Sequence, residues 1–231
     1  MAPTIIKAEN VSVSFPSGPA ISNISLEVEK GDFLAIIGPN GSGKTVLVRA
    51  LLGSLPYQGS ITWMPNAKIG YVPQQVDLDR YVSLTLEDFL KLKVRILKLK
   101  PGAVAKAIAL VGLPEKILKN QIRFLSGGQL QRGLVAFALL GDPDVIFLDE
   151  PTASIDLTGE EKIYDTLHRL QDENRLTVIL VSHELDLVSK YASRILCINR
   201  EMICYGDPSL SLKKDVIEKL YGIKAHVHTL N

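Results

Sequence analysis

The sequence predicts an α/β protein with a mostly parallel sheet, an antiparallel β segment at the start and an inserted helical segment. Three observations predict it. The short apolar runs DFLAIIG (32–38), VIFLD (145–149) and LTVILVS (176–182) read as buried strands. Stretches of helical periodicity separate them, and strands alternating with helices form a parallel sheet covered on both faces. Residues 4–30 instead alternate in strand fashion around PSGPA, the pattern of a hairpin.

Each element follows in order. TIIKAENVSVSF and ISNISLEVE are the hairpin strands, and the run at 32–38 ends in glycine. KTVLVRALLGSL places Val46, Val48, Leu51 and Leu52 at helical spacing, with Gly53 as a stop. GSITWM and KIGYVP are two further strands. Residues 84–113 change character: Thr85 with Asp88 fits a capping box, LEDFLKLKVRILKLK continues as helix, Pro101–Gly102 breaks it, and AVAKAIALVGL resumes. The basic run there (Lys91, Lys93, Arg95, Lys98, Lys100) reads as a solvated face whose lysine stems cover apolar neighbours, in preference to a patch for acidic lipid or nucleic acid. After Ser126 a long helix, GGQLQRGLVAFALLG, stops at Gly141 and Pro143. A helix at about 158–172, a helix at 184–191 and the strands RILCIN and EMICYG complete the core, and the tail YGIKAHVHTLN has weak order signals. The expected organisation is one domain, 1–231, with a helical subdomain inserted at about 80–130 and a tail from about 207.

Composition narrows the function classes. The chain has 231 residues, 46% apolar and 22% charged, ordinary values for a globular protein. A net charge of +1 gives no bulk electrostatic case for nucleic-acid binding. MAPTIIKAEN holds no apolar stretch of secretory-leader length, and no run of about 18 apolar residues occurs. The expected location is therefore the cytosolic side, with peripheral membrane attachment open. The two cysteines, Cys197 and Cys204, are read as small buried residues on late strands rather than as a disulfide or half a metal site.

GPNGSGKT (38–45) fits G-x-x-x-x-G-K-[ST] and lies between a strand and a helix, the setting that pattern needs to cradle phosphate. Gly38, Gly41 and Gly43 allow close backbone approach. The loop formed with Pro39, Asn40 and Ser42, and the helix start at Val46, turns its amides toward an anion. Lys44 can reach the outer phosphates, and Thr45 can offer a hydroxyl to Mg²⁺. A second feature needs a cation: Asp149 and Glu150 stand side by side after an oily strand, which is costly without one. Asp149 is expected to face the Mg²⁺ shell and Glu150 to polarise a water aimed at the γ-phosphate. The alternative is that both acids cap a loop before Pro151.

LSGGQLQR (125–132) resembles the signature of ABC-type ATPases, at the start of a long helix where it belongs. The resemblance extends over nearly the whole chain and implies a P-loop NTPase (RecA-like) core with ATP and Mg²⁺ as ligands. It also implies a head-to-tail homodimer, in which Ser126, Gly127, Gly128 and Gln129 of one chain contact the ATP held by the other. Gln74 in YVPQQ resembles the Q-loop glutamine, an Mg²⁺ and water contact; Gln75 is the lesser candidate. Asp156 in ASID resembles the D-loop aspartate, His183 in VSHE the switch histidine that contacts the γ-phosphate, and Phe15 the aromatic that stacks on adenine. Taken alone, His183 reads as a capping or core residue and Phe15 as core. Two departures bear on communication across the dimer: Phe137 stands where many relatives carry arginine, and ASID replaces the commoner SALD.

ENVSVSF, IGYVPQQVDLD and ILCINREMICYGDPS together resemble the ATPase subunits of bacterial zinc and manganese importers, zinc most closely. That resemblance implies ATP hydrolysis driving metal import through separate membrane permease subunits, engaged by their coupling helices. It also implies a periplasmic or surface solute-binding protein and a place on the cytoplasmic face of the inner membrane. The docking groove for the coupling helix is expected in 75–100, with Asp77 and Arg80 within it. An exporter or lipoprotein-releasing ATPase has a similar layout and is the alternative. His226 and His228 resemble in part the His-rich tails of some zinc importer ATPases, although two histidines make at most a partial metal site. No long coiled-coil insertion is present and there is one cassette, which disfavours DNA-repair and translation ATPases.

Overall fold

The computed structural model describes residues 2–74, 83–151 and 157–222. Along the chain come β1 (Thr4–Phe15), β2 (Gly18–Glu29), β3 (Phe33–Ile37), α1 (Lys44–Leu51) and β4 (Gln58–Trp63). Next are β5 (Ile69–Val72), α2 (Leu86–Ile96), α3 (Ala103–Leu110), α4 (Gly127–Leu139), β6 (Val145–Asp149) and α5 (Leu157–Asn174). The last are β7 (Thr177–Val181), α6 (Leu185–Tyr191), β8 (Arg194–Asn199), β9 (Glu201–Gly206), α7 (Pro208–Ser211) and α8 (Lys214–Tyr221). These elements form two compact units, one of Met1–Asn66 with Thr177–Asn231 and one of Ala67–Leu176.

In the first unit β1 and β2 make the expected hairpin, with Val13 opposite Ile21 and Phe15 opposite Gly18. β4 adds antiparallel on the other edge of β1, with Ala8 opposite Ile61. A second sheet is built on β3, which pairs in parallel with β7 on one side and β8 on the other. β3 and β7 are buried along their whole length, as parallel strands covered on both faces must be. In the second unit β5 and β6 are parallel, Val72 lying opposite Leu148. The mostly parallel sheet, the N-terminal antiparallel strands and the helical insertion of the sequence reading are all present.

The helical insertion starts where its cap signal lies. Thr85 Oγ1 accepts the Asp88 N–H at 3.1 Å and donates to Asp88 Oδ2 at 2.5 Å. α2 ends earlier than the periodicity extends: Leu97 is its C-cap and Lys98 turns left-handed (φ 50°). Of the basic run, Lys91 fits the solvated reading and pairs with Glu87 one turn back. Lys93 does not. It is half-buried, and its Nζ donates to the carbonyls of Phe137 and Ala138 at 2.9 and 3.1 Å, satisfying the last turn of α4. That burial holds its pKa below the ordinary lysine value. Phe137 itself stacks on Phe89 with ring centroids 4.4 Å apart, so the residue that departs from many relatives packs α4 against α2.

The cysteine expectation is corrected. β8 and β9 are antiparallel, and their register sets Cys197 opposite Cys204 with Cα atoms 4.8 Å apart. The two form a disulfide, within the span such bonds bridge. The sequence shows two cysteines on adjacent strands, but only the hairpin register makes them face. Closing so short a loop constrains the unfolded chain by about 2–3 kcal/mol. Cys204→Ser is therefore expected to lower the unfolding free energy by about that amount. Denaturant titrations identical for the oxidised wild type and the variant would contradict the pairing. α7 and α8 were not foreseen either; α8 buries Ile217 and Leu220 against Ile195, Cys197 and Val188.

Candidate functional site

The phosphate loop occupies the turn between β3 and α1, as its pattern requires. Two glycines are dictated by neighbours. A Cβ on Gly38 would lie 2.1 Å from the Ile198 carbonyl oxygen, and one on Gly43 (φ 98°) would lie 2.3 Å from Ile21 Cγ2. No other residue fits either position without displacing backbone or core. The Ser42 N–H donates to the Pro39 carbonyl at 3.1 Å, tightening the loop. Lys44 is almost wholly buried, and its ammonium donates back to the carbonyls of Gly38 and Pro39 at 2.9 and 3.1 Å. A cation is thus fixed inside the glycine loop. Ser42 is 1% exposed, and among the described residues its hydroxyl has no hydrogen-bond partner.

Tertiary contacts that the sequence reading missed hold the loop from behind. The tip of the β8–β9 hairpin is Arg200 (φ 61°), whose N–H donates to the Ser42 carbonyl at 2.8 Å. The Arg200 carbonyl in turn accepts the Ser22 N–H at 2.7 Å. The short spacing of RILCIN and EMICYG signals a tight turn, but its reach to the loop depends on packing that no local pattern encodes. Phe15, at the end of β1, is 41% exposed, and the hairpin it closes carries Ala20 and Ile21 against Gly43. His183 is exposed in the turn after β7. There the Ser182 N–H donates to the Ile36 carbonyl at 3.2 Å, and the Ser182 hydroxyl accepts the Glu184 N–H at 3.0 Å. Thr45 and Val46 lie in the first turn of α1.

The second unit holds the paired acids. Asp149 closes β6 and is 1% exposed. Glu150 follows in a left-handed conformation (φ 46°), which is costly for a residue with a Cβ and turns its side chain away from the strand's alternation. Parallel register explains what it meets. Val72 lies opposite Leu148, so two residues further on Gln74 comes alongside Glu150. Gln74 Nε2 donates to Glu150 Oε2 at 2.6 Å. These are the two residues read from the sequence as acting on the attacking water and its surroundings.

The signature segment is a helix start with a full capping box. Ser126 is the N-cap of α4, its Oγ accepting the Gln129 N–H at 3.3 Å while Gln129 Oε1 accepts the Ser126 N–H at 3.0 Å. Gly127 and Gly128 open the helix and present its first amides. Gln129 thus orients Ser126 and belongs to the cap as well as to the signature. Gln75, Asp77, Arg80, Asp156, His226 and His228 lie outside the described residues.

The groups suited to Mg²⁺ are oxygen donors: the Thr45 hydroxyl, the Asp149 carboxylate and the Gln74 amide. Among the described residues no three His, Cys, Asp or Glu side chains converge on a metal site. Mg²⁺ needs no such cage, because it is commonly held by one or two carboxylates together with substrate phosphates. The buried Ser42 hydroxyl and the fixed Lys44 ammonium fit a polyphosphate carrying that ion.

A strand, a glycine loop closed by its lysine and a following helix place this chain in the P-loop NTPase class. The family within that class is set by likeness to known proteins. The ABC transporter family matches residues 21–153, more than half the chain, and the protein belongs to it. The chain is 37% identical to the zinc import ATP-binding protein ZnuC of Pseudomonas entomophila (strain L48), over 97% of this chain and 86% of the relative. It is 35% identical to ZnuC of Haemophilus influenzae (strain ATCC 51907 / DSM 11121 / KW20 / Rd), over 94% and 80%. Among solved structures, cbiO1 from Clostridium perfringens, part of the ABC transporter complex cbiONQ, superposes with a TM-score of 0.81 at 26% identity, covering 94% of both chains. The dimeric post-hydrolysis state of the ATP-binding cassette MJ0796 bound to ADP and Pi superposes with a TM-score of 0.79 at 26% identity, covering 88% of this chain and 99% of that one. The chain is an ATP-hydrolysing cassette of this family.

Proposed function

We propose that the protein is the ATPase subunit of a bacterial importer of divalent metal ions, zinc first among them. The observation that carries the ATPase part is the Lys44 ammonium fixed on the carbonyls of Gly38 and Pro39 inside the glycine loop. The names of the relatives, which are 35–37% identical over nearly the full chain, support zinc.

In this reading the amides of 38–46 and Lys44 bind the phosphates of ATP, and Phe15 stacks on the adenine. Thr45, Asp149 and Gln74 would hold Mg²⁺, which supplies charge neutralisation at the phosphates when bound. Glu150 accepts a proton from the attacking water, Gln74 keeps that carboxylate in position, and His183 donates to the γ-phosphate. Ser126, Gly127, Gly128 and Gln129 bind the nucleotide of a second copy, and Asp156 serves communication between the two. Closure of the pair follows from the contacts ATP adds, and hydrolysis removes them.

The permease partner is proposed to dock on the face of α2. Leu92, Ile96 and the C-cap residue Leu97 are exposed there, Ile96 by 77%. Among the described residues no helix is long and apolar enough to cross a membrane. A solute-binding protein outside the membrane and a place on the cytoplasmic face of the inner membrane complete the proposal.

Deleting the gene is expected to stop growth in the presence of a zinc chelator, with added zinc restoring it and added manganese not. Rescue by manganese instead would move the substrate to that metal. Unimpaired growth under chelation would remove the import role.

A further inference from the structure

Four lysines of the second unit converge on one hollow that the catalytic groups do not share. Lys68, Lys98, Lys100 and Lys106 line a cavity of about 570 Å³, and Asp142 is the one carboxylate in its wall. The size is that of a small-molecule site. Leu99, Leu110, Leu139 and Leu140 supply an apolar floor. The ammonium groups are not equally engaged. Lys106 pairs with Asp142 at 3.1 Å, and Lys68 donates to the Gly141 carbonyl at 3.5 Å. Lys98 and Lys100 have no ion pair among the described residues. Lys98 also occupies the left-handed position after α2 where glycine is the usual residue, so this lysine is kept at a conformational cost. Positive charge concentrated in a walled hollow raises the local concentration of anions. The start of α3 adjoins it, where the Ala103 N–H donates to the Lys100 carbonyl at 3.3 Å and so ties Lys100 to the rim.

We propose that this hollow is a binding site for a phosphate-bearing anion, separate from the ATP site. Lys98 and Lys100 contact the phosphate oxygens directly, while Lys106 stays anchored by Asp142. The apolar floor accepts the uncharged part of the ligand. Phosphate of this kind could reach the site as a free phosphorylated metabolite or as a lipid headgroup, and the test separates the two.

Full-length protein saturated with ADP, so that the glycine loop is filled, is titrated with pyrophosphate in a calorimeter. The same titration is made on Lys98→Glu/Lys100→Glu, whose exposed positions leave the fold intact, as a melting curve would verify. Pyrophosphate binding that is weakened about tenfold or more in the variant supports a free phosphorylated ligand. In parallel, both proteins are sedimented with phosphatidylglycerol or phosphatidylcholine vesicles. Sedimentation with phosphatidylglycerol alone, lost in the variant, supports the headgroup as the source. No binding in either arm, or binding that the variant leaves unchanged, would overturn the proposal.

Discussion

Glu150→Gln is expected to cut the rate of ATP hydrolysis by about 10²–10⁴-fold while leaving ATP affinity within a few-fold of wild type. The reason lies in what the substitution keeps. Gln74 donates to Glu150 Oε2 at 2.6 Å, and a glutamine can present an amide oxygen to the same donor. The left-handed backbone at 150 is strained equally for either side chain. What disappears is the ability to accept a proton from water. A single-turnover assay with radiolabelled ATP separates the two quantities, and wild-type turnover in the variant would strip Glu150 of its assigned role.

Lys44→Ala should act at the preceding step. In the proposed role the Lys44 ammonium makes a charge-assisted hydrogen bond to phosphate, of about 1.5–3 kcal/mol, so its loss should lower ATP affinity about 10- to 100-fold. Part of the effect is structural, because the same ammonium ties the carbonyls of Gly38 and Pro39. A fall in melting temperature without loss of ATP binding would assign Lys44 to the loop's stability alone. Weakened ATP binding together with a modest fall in melting temperature is the expected result.

Much of this was legible in the residues. The glycine loop, the strand ending in Asp149 and Glu150, and the serine-capped α4 each announce themselves because local backbone chemistry fixes them. Gln74 was found by resemblance, and the parallel register of β5 with β6 gives the physical reason it meets Glu150. What the sequence concealed is tertiary. Cys197 faces Cys204 only because of the β8–β9 register, and Arg200 braces Ser42 only because that hairpin folds behind the loop. Lys93 looked like its neighbours in a basic run. Its role at the end of α4 appears only once α2 and α4 are packed together.

The central claim is that each ATP is held by the glycine loop of one copy and the Ser126 helix start of another. Light scattering on Glu150→Gln with ATP tests it most directly. The mass should double from 25.3 kDa per chain on adding ATP, and adding Ser126→Arg to that variant should return it to the single-chain value with the loop still loaded. An ATP-loaded protein that stays a single chain, or a pair that survives Ser126→Arg unchanged, would contradict it.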